Sequence, residues 1–565
     1  MTDSQRQERP GGNAAERTPS LLDASSDAYL EDLAALCPSA AEDWGIPGHE
    51  GELEDYSPEH YAQVADRKRE MLADIDALED GTDDNDDEDD FDETDQVTAA
   101  LMRDRLCLDL DLYLAGENLR CLDVIASPVQ DIRQTLQLMP GETAEQREAL
   151  RSRLSLVPRA LEGYKRSLAD AASTGNVAAA RQVDAVIDQC RDLAGAGSTL
   201  DTLPVAPEGE PAPAELATAK QAFGEFAEWL GERLAPQAPA EDGVGRERYE
   251  RFSQYHVGSR VDLDEAYEWA LDRLAMIESE QQAIAAELYG PGAGVREAMD
   301  RLNSEPRFVL HGVDTLREWM QNTADRAVEA LSHEQFGIPD QLRRIECCID
   351  PAGTGGIYST PPTADLSRPG RMWWSVPSGV TEFYTWQELT TVFHEGVPGH
   401  HLQCGLAMTS PELNLWRRAA CWLPVHGEGW ALYAENLMRE LGYHEDPGTL
   451  MGLLDAQRLR IARVALDIGV HLGKQVPGGT RRWDYAYARN FLAANTAMGS
   501  ETVDFEVDRY LGWPGQAPSY ALGQRLWLQL RESALAAGLT TREFHSRALA
   551  QGSMPMDLLR RCVLG

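Results

Sequence analysis

No run of roughly 18 consecutive apolar residues occurs in this chain, so no transmembrane helix is expected. Basic residues are in deficit. Against 94 Asp and Glu stand 51 Lys and Arg, a formal charge of −43. That balance opposes long-range attraction to nucleic acid or anionic membranes, and neither is expected as a partner. Cysteine is scarce and unpatterned: nine residues, an odd number without C-x-x-C spacing, outline no disulfide framework. No segment recurs at a period of about 30 to 50 residues, which argues against a solenoid. Met1 to Pro19 is polar and lacks the apolar stretch of a signal peptide, so residues 1–25 read as a disordered tail and the protein as cytoplasmic.

What is present suffices for a large core. With 565 residues, 43% of them hydrophobic, the chain has material for about two to four compact units. Apolar residues spaced by three and four predict helices over Gln96 to Leu122, Thr143 to Ala172, Val177 to Ala194 and Ala214 to Leu234. Leu203 to Pro213 is a Pro-rich connector. Residues 26–245 therefore read as an N-terminal helical region, and a second helical set opens near Arg246 to form a catalytic region over 246–565. Glu79 to Asp95 holds twelve acidic residues and no Lys or Arg, the pattern of a self-repelling, solvated loop. Asp83, Asn85 and Asp87 have calcium-loop spacing, but Glu88 replaces the required glycine, so calcium is not expected.

The densest chemistry lies in His394-Glu395-Gly396-Val397-Pro398-Gly399-His400-His401, three of the chain's twelve histidines and a glutamate within eight residues. In the zinc motif H-E-x-x-H, one helix face presents two histidines to the metal and aims the glutamate at water as general base. Here Pro398 occupies the place of the second histidine. Thr385-Trp386-Gln387-Glu388 has the form of a capping box, which predicts a helix from about Trp386 that carries His394 and Glu395 in its third turn. Pro398 withholds a backbone N–H and Gly399 adds freedom, so a kink is expected there. Regular geometry at roughly 100° per residue returns His401 to the face of His394. If Pro-Gly is looped out, His400 takes that place instead.

The pattern His-Glu-x-x-Pro-Gly-His-His-x-Gln resembles the signature of a bacterial family known as domain of unknown function 885, grouped with the gluzincin metallopeptidases. The likeness includes Glu428 to Glu435, Arg460 to His471 around Asp467-Ile468-Gly469, and Gly512 to Tyr520, and extends more weakly from about Tyr249 to the C-terminus. Gluzincins commonly take their second ligand from a Gly-His dipeptide, which implies His400. They draw the third, a glutamate, from a later helix, which implies Glu428 within His426-Gly427-Glu428-Gly429-Trp430. Glu435, seven residues on and near the same face, is the alternative ligand or a residue behind the first. The resemblance also implies a phenol or imidazole near the metal, for which Tyr520 stands at the right place after a Pro-Gly-Gln-Ala turn.

Other polar residues divide between site and scaffold. Asp467 and His471, spaced by four, are either an interhelix pair or a support for the metal ligands. Arg460 and Arg463 are able to bind a substrate carboxylate or to pair with acidic neighbours. Cys347, Cys348 and Cys404 read as small buried hydrophobes without chemistry. Residues 351–362 and 371–377 predict short strands, with the Gly353 to Gly356 glycines suited either to a plain loop or to close approach of a ligand.

These readings add up to a mainly α protein with a deep cleft and a small β-sheet beside the metal helix. Zinc held by His394, His400 and Glu428 would activate water, with Glu395 as base and Tyr520 as oxyanion donor. The expected activity is hydrolysis of short or unfolded peptides, of carboxypeptidase or oligopeptidase type. Hydrolysis of a small non-peptide amide, or a helical binding protein with a vestigial metal site, are the alternatives.

Overall fold

The computed structural model describes residues 17–82, 91–207, 209–350, 356–363, 366–377 and 379–565. Its first half is a succession of helices: α1 (Leu21–Leu36), α2 (Pro38–Asp43), α3 (Pro58–Thr82), α4 (Glu93–Leu114), α5 (Glu117–Arg120), α6 (Pro128–Leu138), α7 (Ala144–Ser173), α8 (Ala180–Ala194) and α9 (Ala214–Trp229). Three more follow, α10 (Arg246–Val257), α11 (Leu263–Tyr289) and α12 (Val295–Leu302), then strand β1 (Val309–His311) and α13 (Val313–Glu334). Strands β2 (Ile345–Asp350), β3 (Ile357–Thr360), β4 (Gly370–Ser375) and β5 (Glu382–Tyr384) precede α14 (Thr385–Glu395) and α15 (His400–Met408). The chain ends in α16 (Pro424–Glu440), α17 (Pro447–His471), α18 (Tyr485–Ala494), α19 (Ser500–Gly512), α20 (Ser519–Ala536), α21 (Thr541–Leu549) and α22 (Met556–Leu564).

The periodic segments form helices where expected, with local departures. Thr143 and Gln146 exchange capping-box bonds and start α7 at Ala144. The 96–122 segment breaks at Gly116, whose φ of +73° continues no right-handed helix, and resumes as the short α5. Order begins inside the stretch read as a tail, because Ser20 caps α1 in a reciprocal bond with Asp23. The acidic run is also narrower than a loop over 79–95. Asp92 and Asp95 cap α4, placing carboxylates where a helix N-terminus favours them, and Arg103 pairs with Glu79 at the end of α3. The calcium-like spacing, 83–88, lies outside the described residues, as do Gly353 to Gly355.

The apolar core does not divide at residue 246. One cluster joins Leu22, Leu30, Met71 and Leu106 of the first helices to Tyr249, Trp386, Trp430, Ile468 and Trp527 of the second half. A separate cluster, from Tyr56 through Val157 and Phe226 to Leu234, centres on α6–α9 and the segments flanking them. Glu117 receives both Nε and Nη2 of Arg248, at 2.8 and 2.7 Å, where the two halves meet.

Strands of the main sheet run in the order β2-β4-β3, parallel between β2 and β4 and antiparallel between β3 and β4. Cys347 and Cys348 lie in β2, a strand outside the two predicted ones. Gln321 of α13 closes the outer edge of β2, donating to the Ile345 carbonyl at 2.9 Å and accepting from the Cys347 N–H at 3.0 Å. β3, the other edge strand, contacts α14 and α15. β1 and β5 form a two-stranded ribbon, paired from Val309 with Tyr384 to His311 with Glu382, that delivers the chain into α14. The Thr385 N–H and hydroxyl both go to the Phe308 carbonyl, at 2.8 and 3.3 Å. No capping box forms at Thr385 and Glu388, because α14 begins at Thr385 itself with Tyr384 at the N-cap, and the Thr385 N–H that Glu388 would accept goes to Phe308.

Candidate metal centre

α14 stops at Glu395, the Val397–Pro398 peptide is cis, and α15 starts at His400. The intervening backbone folds back on the end of α14. The Gly399 N–H bonds the Phe393 carbonyl at 3.1 Å, and a Cβ on Gly399 would stand 1.9 Å from the His394 oxygen, so only glycine permits this approach. Trp430, from the Glu-Gly-Trp-Ala block of α16, donates its indole N–H to the Pro398 carbonyl at 2.8 Å. The same helix carries Glu428. It crosses α20 at two glycines: a Cβ on Gly429 would meet the Gly523 backbone at 2.6 Å.

This arrangement brings His394, His400 and Glu428 together, with one possible ligand atom of each lying within 4.8 Å of the other two. Oε2 of Glu428 stands 3.3 Å from Nε2 of His394 and 3.4 Å from Nε2 of His400. The two imidazoles meet edge to face, 86° apart. Nδ1 of His394 lies 2.7 Å from Oε1 of Glu435. A carboxylate only accepts, so Nδ1 carries a hydrogen, which leaves Nε2 as the nitrogen able to turn a lone pair to a metal once its own proton is lost. Oε2 of Glu428 is itself buried without a hydrogen-bond donor. A proton on the imidazole, or a cation between nitrogen and oxygen, would satisfy this buried contact.

The ionisation of the cluster points the same way. Burial alone would lower the His394 pKa, but the Glu428 and Glu435 carboxylates outweigh it and raise it to about 10. Burial alone would raise Glu428, and the two imidazoles instead hold it well below the usual carboxylate range. The donor set, two imidazole nitrogens and one carboxylate oxygen, fits zinc and leaves a fourth position for a reacting ligand.

His401 is directed elsewhere. Its Nε2 bonds the Leu342 carbonyl at 2.9 Å, and its ring fills the space left by the missing side chain of Gly370 in β4. Glu435 stands behind His394 rather than among the three ligand groups, and accepts a second bond from the Thr390 hydroxyl. Thr390, one turn before His394, escaped the sequence reading although its position on the His394 face is visible in the spacing. Glu395 is buried next to these groups, and its charge reaches His394 and the Cys404 thiol. Burial pushes Cys404 up to about 12, helped by Glu395 and Glu428, which agrees with a thiol without chemistry.

Tyr520 opens α20 and is partly exposed. Burial and then the Glu428 charge raise its pKa, against the opposing influence of Arg509 and Arg463. The Arg463 guanidinium lies 5.0 Å from the ring centre and is fixed by Glu506 at 2.9 Å and the Tyr510 hydroxyl at 2.6 Å. Asp467 and His471 sit deeper, under the turn that leads to Tyr520. Asp467 accepts from the Tyr249 hydroxyl at 2.6 Å and the Gly515 N–H at 3.0 Å, while His471 bonds the Tyr510 carbonyl at 3.0 Å.

The chain matches the family described as "Bacterial protein of unknown function (DUF885)" over residues 38–563. Two solved structures share the fold. One is of a candidate lipoprotein from Colwellia psychrerythraea, 24% identical, with a TM-score of 0.78 over 96% of this chain and 98% of that one. The other is of a candidate lipoprotein of unknown function from Shewanella oneidensis, 16% identical, with a TM-score of 0.69 over 97% of this chain and 100% of that one. No curated protein matches at a significant level.

Proposed function

We propose, for a chain that belongs to the bacterial DUF885 family of unknown function, the activity of a zinc-dependent peptidase acting on short or unfolded peptides. The observation that carries this reading is the convergence of His394, His400 and Glu428 from three helices on one point, with their ligand atoms within 4.8 Å of each other. A zinc ion held there would supply Lewis acidity to a peptide carbonyl and to water. Glu395, the neighbour of the first ligand, takes the proton of the attacking water on its carboxylate and returns it to the leaving amine. The Tyr520 hydroxyl donates to the oxygen on which negative charge develops. Arg463 packs against the Tyr520 ring, and Glu435 holds His394 in the tautomer that presents Nε2. An extended peptide would pair with β3, the outer strand beside α14 and α15.

The reading includes a cytoplasmic setting. All nine cysteines are free thiols, the usage of reducing compartments. Two solved relatives carry the name lipoprotein, so fractionation of the native host decides the point.

The test of activity is metal analysis of the purified protein together with digestion of a peptide library, read by mass spectrometry. About one zinc per chain and cleavage that a strong chelator abolishes are expected. In Glu395→Gln, zinc should remain while cleavage falls by about 100-fold or more. Cleavage that persists in the chelator would overturn the mechanism.

A further inference from the structure

Beyond its partly exposed first turn, α17 is buried except at one place. From Met451 to His471, only Ala456 and Arg460 reach solvent. They lie one turn apart on one face and make one window in the body of the helix. Arg460 is also unlike its neighbours in pairing. Arg458 reaches Glu278 at 3.3 Å and Arg463 reaches Glu506 at 2.9 Å. Arg460 makes one bond, from Nη1 to the Ala456 carbonyl at 3.3 Å, and has no carboxylate partner within 4.0 Å among the described residues. Its Nε is buried without an acceptor. Acidic residues outnumber basic ones 94 to 51 in this chain, so a guanidinium without a counter-ion is not explained by a shortage of carboxylates.

α17 packs against α14, the helix that carries His394 and Glu395. The positive charge of Arg460 acts on Glu435, the carboxylate that holds His394, and on Asp455 one turn earlier on α17. Nε is closed off by burial, and the unspent donors within reach are Nη2 and the second hydrogen of Nη1, which form the end of the guanidinium fork. That end matches the two oxygens of a carboxylate. Arg463 has no such end to offer, because Glu506 and Tyr510 already take Nη2 and Nε.

We propose that Arg460 anchors a carboxylate of the substrate, so that the preferred substrates are peptides or acyl amino acids with a free carboxylate near the scissile bond. This rests on the peptidase reading and narrows it to carboxypeptidase-like substrates. The test has two arms. In the first, zinc-loaded protein cleaves matched N-acylated dipeptides that end in a free acid or in a carboxamide. The acid should be preferred about 10- to 100-fold in kcat/KM, mainly through KM. In Arg460→Gln this ratio should collapse toward one, and Arg460→Lys should restore part of it. In the second arm, 3-phenylpropanoate and its carboxamide are titrated calorimetrically into the full, zinc-free chain. The acid should bind more tightly, and Arg460→Gln should remove the preference. Equal handling of acid and amide, or an unchanged preference in the variant, overturns the assignment even if peptides are cleaved. If no peptide is cleaved, the peptidase reading falls and the titration alone decides whether Arg460 holds carboxylates.

Discussion

His394 places Nδ1 2.7 Å from Oε1 of Glu435 while its Nε2 faces Oε2 of Glu428 at 3.3 Å, so one ring is held from behind and committed at the front. The rear contact sets both the tautomer and the angle of the ring. Glu435→Gln keeps the shape and removes the charge, and Glu435→Ala removes the contact altogether. Zinc affinity is expected to fall about 10-fold in the first and up to about 100-fold in the second. Competition against a chromophoric chelator measures it. Affinities equal to that of the unchanged protein would show that the rear carboxylate has no influence on the cluster.

The adjacent histidines should behave in opposite ways. His400→Ala removes a ligand group, and bound zinc should drop well below one per chain. His401→Ala removes the bond to the Leu342 carbonyl at 2.9 Å and the packing on Gly370. It should retain zinc but lose about 1–3 kcal/mol of stability by denaturant unfolding. Exchange of these two outcomes would assign the second ligand to His401.

How much of this was visible in the sequence depended on how locally it was encoded. The helical class, and most helix positions, follow from apolar spacing over 15 to 30 residues, as in α7 and α8. His394 and Glu395 were visible because the motif is contiguous. The choice between His400 and His401 turned on the backbone between them: the wheel that favours His401 assumes one uninterrupted helix, whereas α14 ends and α15 begins anew. Glu428 rested on family resemblance, since no local rule joins residues 394 and 428. The capping box at Thr385 failed because the helix starts one residue earlier than the box requires, with Tyr384 at the N-cap, and the Thr385 N–H is taken by Phe308, 77 positions away. Arg460 and Arg463 look alike in the sequence, and only the position of Glu506 separates them.

The crossing of α16 and α20 makes a prediction about stability. A Cβ on Gly523 would stand 2.3 Å from the Val425 carbonyl oxygen and 2.7 Å from the Gly429 Cα, both backbone atoms. Gly523→Ala therefore has to push the two helices apart, at a cost of about 1–3 kcal/mol. Because α16 carries Glu428, zinc affinity should fall as well. Gly224→Ala in α9 is the control: its Cβ would meet only Ala194 at 3.5 Å, and the better helix former should leave stability equal or higher by up to about 1 kcal/mol. Thermal melts with and without zinc compare the two, and equal melting temperatures would contradict the packing argument.

Asp467 gives a pH dependence whose sign is fixed. Burial pushes its carboxyl up to about 7 in the folded chain, against the lowering influence of the Tyr249 and Gly515 hydrogen bonds. In the unfolded chain an aspartate titrates at about 3.9. Between those values the folded state retains a proton that the unfolded state has released, so this residue's contribution falls as pH rises. It is fully present below about pH 4 and spent above about pH 7. Asp467→Asn keeps an oxygen to accept from Tyr249 and Gly515 and has no proton to lose. The variant should therefore gain stability relative to the unchanged protein as pH rises from about 5 to about 8. Buried His471, held down to about 4 and with Nε2 3.7 Å from Asp467 Oδ1, contributes the opposite slope between about 4 and about 6.5, so the difference between the proteins is read most cleanly above about 6.5. Melting temperatures of the pair across this range provide the measurement. A difference that stays flat, or that shrinks as pH rises, would mean that Asp467 is ionised in the folded chain at neutral pH.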